Sequence, residues 1–220
     1  MDQHDQLIRR LPFLARLRQE DLEALASHGR VRAYPAGSFI FSEGEPGDSL
    51  HVVIEGSIRV AVLSPGGEEA TLALLGPGQT CGELSLVDGR PRSATAIASQ
   101  ATKTLVITRM DFLQWLSERP QAAFALLETL SLRMRRTDEA LADLAFMNLP
   151  SRLAKQLLDL AGLYPGGKRL SITQSELAAM LGVSRESVNK QLNLFARKGW
   201  VRLSRGTVTL IDLAGLQSLV

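Results

Sequence analysis

Apolar and polar positions change rhythm several times along this 220-residue chain. Residues ~5–28 read as short helices, with Leu22 and Leu25 on one apolar face. From Val31 to about Ile107 the apolar positions alternate in short runs, at 38–41, 51–55, 57–63, 70–75, 94–98 and 103–107. Glycines at 37, 44, 47, 56, 66, 67, 76, 78, 82 and 89 punctuate this stretch. Period-two runs bounded by turn residues predict an antiparallel barrel or jelly-roll-like β-roll.

After Pro120 the turn residues vanish for nearly thirty positions. Ala123, Leu127, Leu130, Met134, Thr137, Leu141, Leu144 and Asn148 follow one another at alternating intervals of four and three. That spacing predicts a long helix whose seam pairs with a twin, and hence a homodimer. An amphipathic helix lying on its own domain is the plainer alternative. Thr137 interrupts the apolar seam, with Asp138 beside it. Such a polar pair either sets register or touches a ligand. Pro150 cannot continue the helix, so Asn148-Leu149-Pro150 ends it. Asn148 is then a suitable N-cap for a next helix carrying Leu153, Leu157, Leu158 and Ala161. This point is the expected domain boundary, with Asn148 as its hinge.

Residues 176–181 are largely apolar and run into Gly182-Val183-Ser184-Arg185-Glu186-Ser187-Val188-Asn189-Lys190. The pattern predicts a helix-turn-helix. Ala178 admits a close crossing, Gly182 takes the positive φ of the turn, and Val188 plugs the contact. Glu186, Asn189 and Lys190 fall within a ~140° arc beginning at Arg185. Val188, Leu192 and Phe195 lie outside that arc. One face can pack, and the other can read base edges in a DNA major groove. A plain helical hairpin would account for the two helices alone. The alternating runs 200–204 and 206–210, hinged on Arg205-Gly206, add a hairpin and make the unit a winged helix.

Charge sorts with this division. Residues 1–149 hold 15 Lys/Arg and 19 Asp/Glu, a net −4, whereas 150–220 hold 10 and 4, a net +6. The positive part suits double-stranded DNA. A single cysteine, Cys81, rules out a disulfide within the chain and suits a reducing cytoplasm. It reads as a small buried apolar residue. The start of the chain is polar and carries no signal peptide, and no apolar run approaches a membrane span. A cytoplasmic location without a membrane partner is expected. His4, His28 and His51 are scattered without metal-ligand spacing, so no metal is expected.

A second motif, Gly82-Glu83-Leu84-Ser85 followed by Arg92-Ser93, lies inside the glycine-punctuated region. A glycine start lets backbone amides face an anion. Arg92 offers a planar fork for two phosphate oxygens, and Ser93 offers a hydroxyl donor. An ionised Glu83 only accepts, so it suits a sugar hydroxyl, with Arg92 nearby for charge balance. A structural Glu–Arg ion pair closing a loop is the alternative.

On these features the chain resembles the CRP/FNR (catabolite activator/fumarate-nitrate regulator) family of bacterial transcription regulators. The likeness covers almost all of it: the punctuated roll, the cassette, the long helix with Leu144-Ala145-Phe146 before the hinge, and Ser184-Arg185-Glu186-Ser187-Val188. The resemblance implies a cyclic nucleotide as effector, with no cofactor in the catalytic sense. Gly82, Glu83, Leu84 and Ser85 would hold ribose and phosphate, and Arg92 and Ser93 phosphate. Thr137 would read the base, and Asp138 would reach the base bound in the partner subunit. The prototype has serine where this chain has Asp138. A carboxylate accepts from guanine N1–H and N2 amine together, which favours cyclic GMP. The cassette as a whole resembles the cyclic AMP branch, which is placed first.

Arg185 and Glu186 match the family's base readers. Lys190 stands where the prototype has arginine, so a point donor replaces a planar fork and should discriminate its guanine less sharply. The expected operator is a palindrome of TGTGA-like half-sites, with Thr173, Ser175 and Ser184 anchoring phosphates. RNA polymerase is the further partner the resemblance implies. A regulator with a vestigial pocket or another effector is the alternative reading, against which the intact Glu83 and Arg92 stand. Haem sensing would need a ligand in the roll, and Cys81 and His51 carry no such motif. A cyclic-nucleotide hydrolase using Glu83 as base would need a metal cluster or activated water. No enzyme is therefore expected.

The expected whole is an α+β chain in three parts. Residues 1–118 form the cyclic-nucleotide-binding β-roll, 119–148 the dimerisation helix and hinge, and 149–220 the winged helix-turn-helix. Nucleotide would shift the population towards a form whose recognition helices sit about one DNA turn (~34 Å) apart.

Overall fold

A computed structural model describes residues 19–64, 66, 69–163 and 167–220. The expected short helices before residue 19 lie outside the described residues, as does the side chain of Leu22. The chain forms two compact units. One comprises the residues up to Leu63 together with Leu72–Met134, and the other Ser64–Thr71 together with Arg135–Val220.

Among the described residues, α1 (Gln19–Ser27) is followed by eight strands: β1 (Arg30–Tyr34), β2 (Phe39–Phe41), β3 (Ser49–Glu55), β4 (Ile58–Leu63), β5 (Glu69–Leu75), β6 (Thr80–Cys81), β7 (Thr95–Ala98) and β8 (Thr102–Thr108). A short helix, α2 (Glu83–Asp88), interrupts them after β6. The strands make two four-stranded sheets, ordered β1-β8-β3-β6 and β2-β7-β4-β5. All six runs read from alternation are strands. The sequence pattern missed β1, β6 and α2. The first is largely exposed and the other two are very short, so none leaves a clear apolar period.

Strand β3 shows why the site forms where it does. Leu50, Val52 and Ile54 face a cluster with Leu105, Ile107, Phe112 and Trp115. Val53 faces the opposite way, into a cluster with Phe41, Ile58, Leu75, Cys81 and Ala96. The period of two places His51 on the same side as Val53, and its ring lies 5.6 Å from that of Phe41.

Helix α3 (Arg109–Glu118) follows β8, and its start is capped by the Thr108 hydroxyl, which accepts from Asp111 N at 3.2 Å. It buries Phe112 and Trp115; truncating either to alanine would cost about 3–5 kcal/mol. The Trp115 indole donates to Asp21 O at 2.9 Å and so ties α1 to α3.

Helix α4 (Pro120–Phe146) runs 27 residues. Proline suits its first turn, where the missing N–H would have no partner. Leu127, Met134, Leu141 and Leu144 of the seam are exposed, while Leu130 packs against the roll. Helix α4 stops at Phe146, two residues before the last position of the seam spacing. Asn148 caps α5 (Leu149–Leu163) as the sequence predicts, accepting from Ser151 N at 3.0 Å.

The second unit continues with β9 (Arg169–Leu170), α6 (Gln174–Leu181), α7 (Arg185–Arg197), β10 (Val201–Ser204), β11 (Thr207–Leu210) and α8 (Leu213–Gln217). Its sheet is ordered β10-β11-β9, so the expected hairpin gains a third strand. Leu153, Leu157, Leu177, Val188, Leu192, Phe195 and Leu216 fill one core.

Candidate ligand pocket and nucleic-acid interface

Three buried polar side chains organise the cassette. Glu83 and Arg92 are each only 3 % exposed, as is His51. Gly82 opens α2 with φ of 90°, a left-handed conformation that disfavours any side chain. A Cβ there would lie 2.4 Å from Arg92 Nη1 and 2.8 Å from Ser49 O, so only glycine lets the guanidinium lie against the turn. Arg92 Nη1 donates to Gly82 O at 3.0 Å, and Nη2 donates to Ser49 O at 2.8 Å and Ser49 Oγ at 3.1 Å. The guanidinium also stacks over Phe41, 4.2 Å from the ring centre.

Glu83 takes a partner the sequence reading missed. Arg133, on α4, donates to Glu83 Oε1 and to Thr80 O. The alternative reading, an ion pair between Glu83 and Arg92, gives way to this one, because Arg92 is drawn to Ser49 and Gly82 and has the exposed Asp48 carboxylate 3.8 Å away. Fifty residues separate Glu83 from Arg133. No local spacing could reveal the contact. The available signal was an arginine four residues before Thr137 on the long helix, with Arg135 and Arg136 close behind it.

Two buried atoms here have no hydrogen-bond partner among the described residues: Glu83 Oε2, an acceptor, and Arg92 Nε, a donor. Burial raises the Glu83 carboxyl above its ordinary value, opposed first by the Arg133 charge. Burial likewise lowers Arg92, opposed first by Asp48. His51 contacts Ser49 Oγ and Thr104 Oγ1, each at 3.3 Å. Burial, helped by Arg92 and Arg32, pushes it down to about 4, which keeps it neutral near pH 7. Cys81 is buried, and burial with the Glu83 charge pushes its thiol up to about 12. It is an inert packing residue.

The remaining cassette residues are distributed differently. Ser85 is buried, and its hydroxyl donates to Pro91 O at 3.4 Å. The Leu84 and Ser93 side chains are exposed. Thr137 and Asp138 are exposed on α4, and Thr137 shares the helical face of Arg133 four residues earlier.

In the second unit, Gly182 closes α6 with φ of 62°, its N–H donating to Ala178 O. Val188, Leu192 and Phe195 are buried, and Arg185, Glu186, Asn189 and Lys190 are exposed. The split within α7 follows the sequence period. Ser184 caps α7 by accepting from Ser187 N at 3.2 Å. Thr173 and Glu176 form a capping box on α6. Thr173 N and Oγ1 both donate to Glu176 Oε2, at 2.7 Å each. The hydroxyl proton expected to reach a phosphate is therefore engaged within the helix cap. Ser175 is exposed one residue into α6 from Gln174.

The cyclic nucleotide-binding domain family matches residues 31–119, and the Crp-like helix-turn-helix domain family matches residues 151–219. The CRP-like cAMP-activated global transcriptional regulator of Mycobacterium tuberculosis is 37% identical over 214 residues, covering 94% of this chain and 96% of its own. The chain belongs to the CRP/FNR family. The cyclic AMP receptor protein of Thermus thermophilus is 39% identical over 210 residues, with 94% and 96% covered. A solved structure of the c-di-GMP responsive global regulator CLP of Xanthomonas campestris superposes with a TM-score of 0.81 at 24% identity, covering 89% of this chain and all of that one; at that identity the likeness concerns the fold.

As a CRP/FNR protein the chain is a cyclic-nucleotide-binding transcription regulator with a helix-turn-helix DNA-binding domain. The family consists of transcription regulators. Among the described residues no helix is long and apolar enough to cross a membrane.

Proposed function

We propose that the chain acts as a homodimer whose affinity for a palindromic operator is set by a cyclic nucleotide, cyclic AMP before cyclic GMP. The observation that carries the ligand reading is the pair of unpartnered atoms in the cassette. An unmet buried donor or acceptor costs about 1–3 kcal/mol. A cyclic phosphate offers only acceptors, which suits Arg92 Nε. The ribose hydroxyl beside it offers a donor, which suits Glu83 Oε2. One ligand carrying both groups satisfies both atoms. Gly82, Leu84, Ser85 and Ser93 would complete the sugar–phosphate contacts, Thr137 would read the base, and Asp138 would reach the base bound in the partner subunit.

Cyclic AMP stands first because the relatives from M. tuberculosis and T. thermophilus are named for it. Asp138 is the one residue that favours guanine. Calorimetry with both nucleotides tests the pocket and the base separately. Arg92→Ala should abolish binding of either. Asp138→Ser should move preference towards adenine. Unchanged binding by Arg92→Ala overturns the pocket.

Exposed Leu127, Met134 and Leu141 recur every seventh residue and support self-association through α4. Arg185, Glu186 and Lys190 would read a TGTGA-like half-site, with Thr173, Ser175 and Ser184 near phosphates. Nucleotide binding would act through α4 and the Asn148 hinge, and RNA polymerase would be the downstream partner. The protein then regulates and does not catalyse. Operator affinity measured with and without nucleotide checks the coupling; equal affinity refutes it.

A further inference from the structure

A chain of three amides, two on the exposed face of α7 and one at the start of α6, is left unexplained by the expected base readers. Asn193 Nδ2 donates to the Asn189 main-chain carbonyl at 2.9 Å and to Asn189 Oδ1 at 2.8 Å. Gln174 Nε2, from the start of α6, donates to the same Oδ1 at 3.1 Å. The orientation of every amide follows from one fact. A main-chain carbonyl can only accept, so the Asn193 atom against it must be nitrogen. That nitrogen demands oxygen from Asn189, and the oxygen in turn demands nitrogen from Gln174.

Asn189 Oδ1 therefore has both lone pairs engaged, while its Nδ2 donors have no partner among the described residues. The residue is exposed and lies about 40° round the helix from Arg185, between it and Glu186. It stands in the first turn and a half of α7, the part of a recognition helix that meets base edges.

We propose that Asn189 is a further specificity residue, held as a pure donor by Gln174 and Asn193, that selects against cytosine at one position of each half-site. The proposal rests on the reading of α7 as the recognition helix. A free asparagine pairs bidentately with adenine, giving to N7 and accepting from N6. With its oxygen engaged that mode is closed. The remaining N–H groups suit guanine N7 or O6, adenine N7 and thymine O4. Cytosine presents its own N4 donor, so two donors would face each other. Gln174 and Asn193 are positioning residues in this scheme.

The test is selection from a randomised duplex library, with and without cyclic AMP, followed by affinities for all four bases at each half-site position. The wild-type protein should show one position where cytosine weakens binding on the order of tenfold and the other three bases are nearly equal. Asn189→Ala should level that position alone. Gln174→Ala combined with Asn193→Ala should free the oxygen and narrow the same position to adenine, which a purely structural role would not produce. An unchanged base profile for Asn189→Ala overturns the proposal while leaving helix-turn-helix recognition standing. Absence of any sequence-selective binding by the wild-type protein overturns both.

Discussion

Arg133 grips one oxygen of the buried Glu83 carboxylate and leaves the other without a partner among the described residues. The long helix thereby supplies the counter-charge for the acceptor of the cassette. Removing Arg133 should strand that charge. Breaking a buried pair costs about 3–5 kcal/mol, but the Arg133 side chain is 35% exposed, so about 2 kcal/mol is expected for Arg133→Ala. Glu83 titrates above its ordinary 4.5 in the fold, so its ionisation lowers stability as pH rises through and above that value. The loss in Arg133→Ala should grow with pH and vanish in Arg133→Ala with Glu83→Gln. Urea unfolding across pH checks this.

Gly82 and Gly182, both left-handed, should respond differently to alanine. At Gly182 no atom lies within 4 Å of a built Cβ, so only backbone strain of about 1–2 kcal/mol is expected, with nucleotide binding intact. At Gly82 the added carbon would meet the Arg92 guanidinium 2.4 Å away. Gly82→Ala should lose nucleotide affinity well beyond its loss of stability. Calorimetry beside thermal unfolding separates the two effects.

His51 titrates near 4 in the fold against 6.5 when unfolded. The unfolded chain binds the proton first. The stability of the neutral form is therefore complete above pH 6.5 and is lost as pH falls towards 4. The contribution is about 3 kcal/mol at most. Arg92 and Arg32 reinforce the shift and Asp48 opposes it. His51→Gln should flatten this part of the stability curve relative to the unaltered chain. Parallel curves would refute the assignment.

Leu141 is 66% exposed in mid-seam. Leu141→Glu should place a charge in each paired seam and convert a dimer to a monomer by sedimentation, without changing the folding of either unit. A mass that does not change between the two proteins refutes pairing through this face.

Elements with a sustained period were legible in the amino-acid pattern. The six alternating runs are strands, the heptad stretch is one helix, and Val188, Leu192 and Phe195 are the packed side of α7. Asn148 was legible as a cap because the Asn–X–Pro grouping carries its own chemistry. Arg133 was not legible, since its partner is 50 residues distant and the helix face it uses also carries the seam. At Thr173 the sequence showed the residue type and not its hydrogen bonds. Its hydroxyl is engaged by Glu176, and which hydrogen bonds compete for a proton is settled by geometry.

The sequence by itself determined the succession of roll, long helix and helix-turn-helix, the helix crossing of the DNA-reading unit and the residue types gathered in the cassette, because these depend on local period, capping and turn chemistry. Only the tertiary structure decided which charge faces which. Burial strips water from Glu83 and Arg92, so each takes whatever partner the packing of distant elements brings within reach, and the atoms left over define what a ligand must supply.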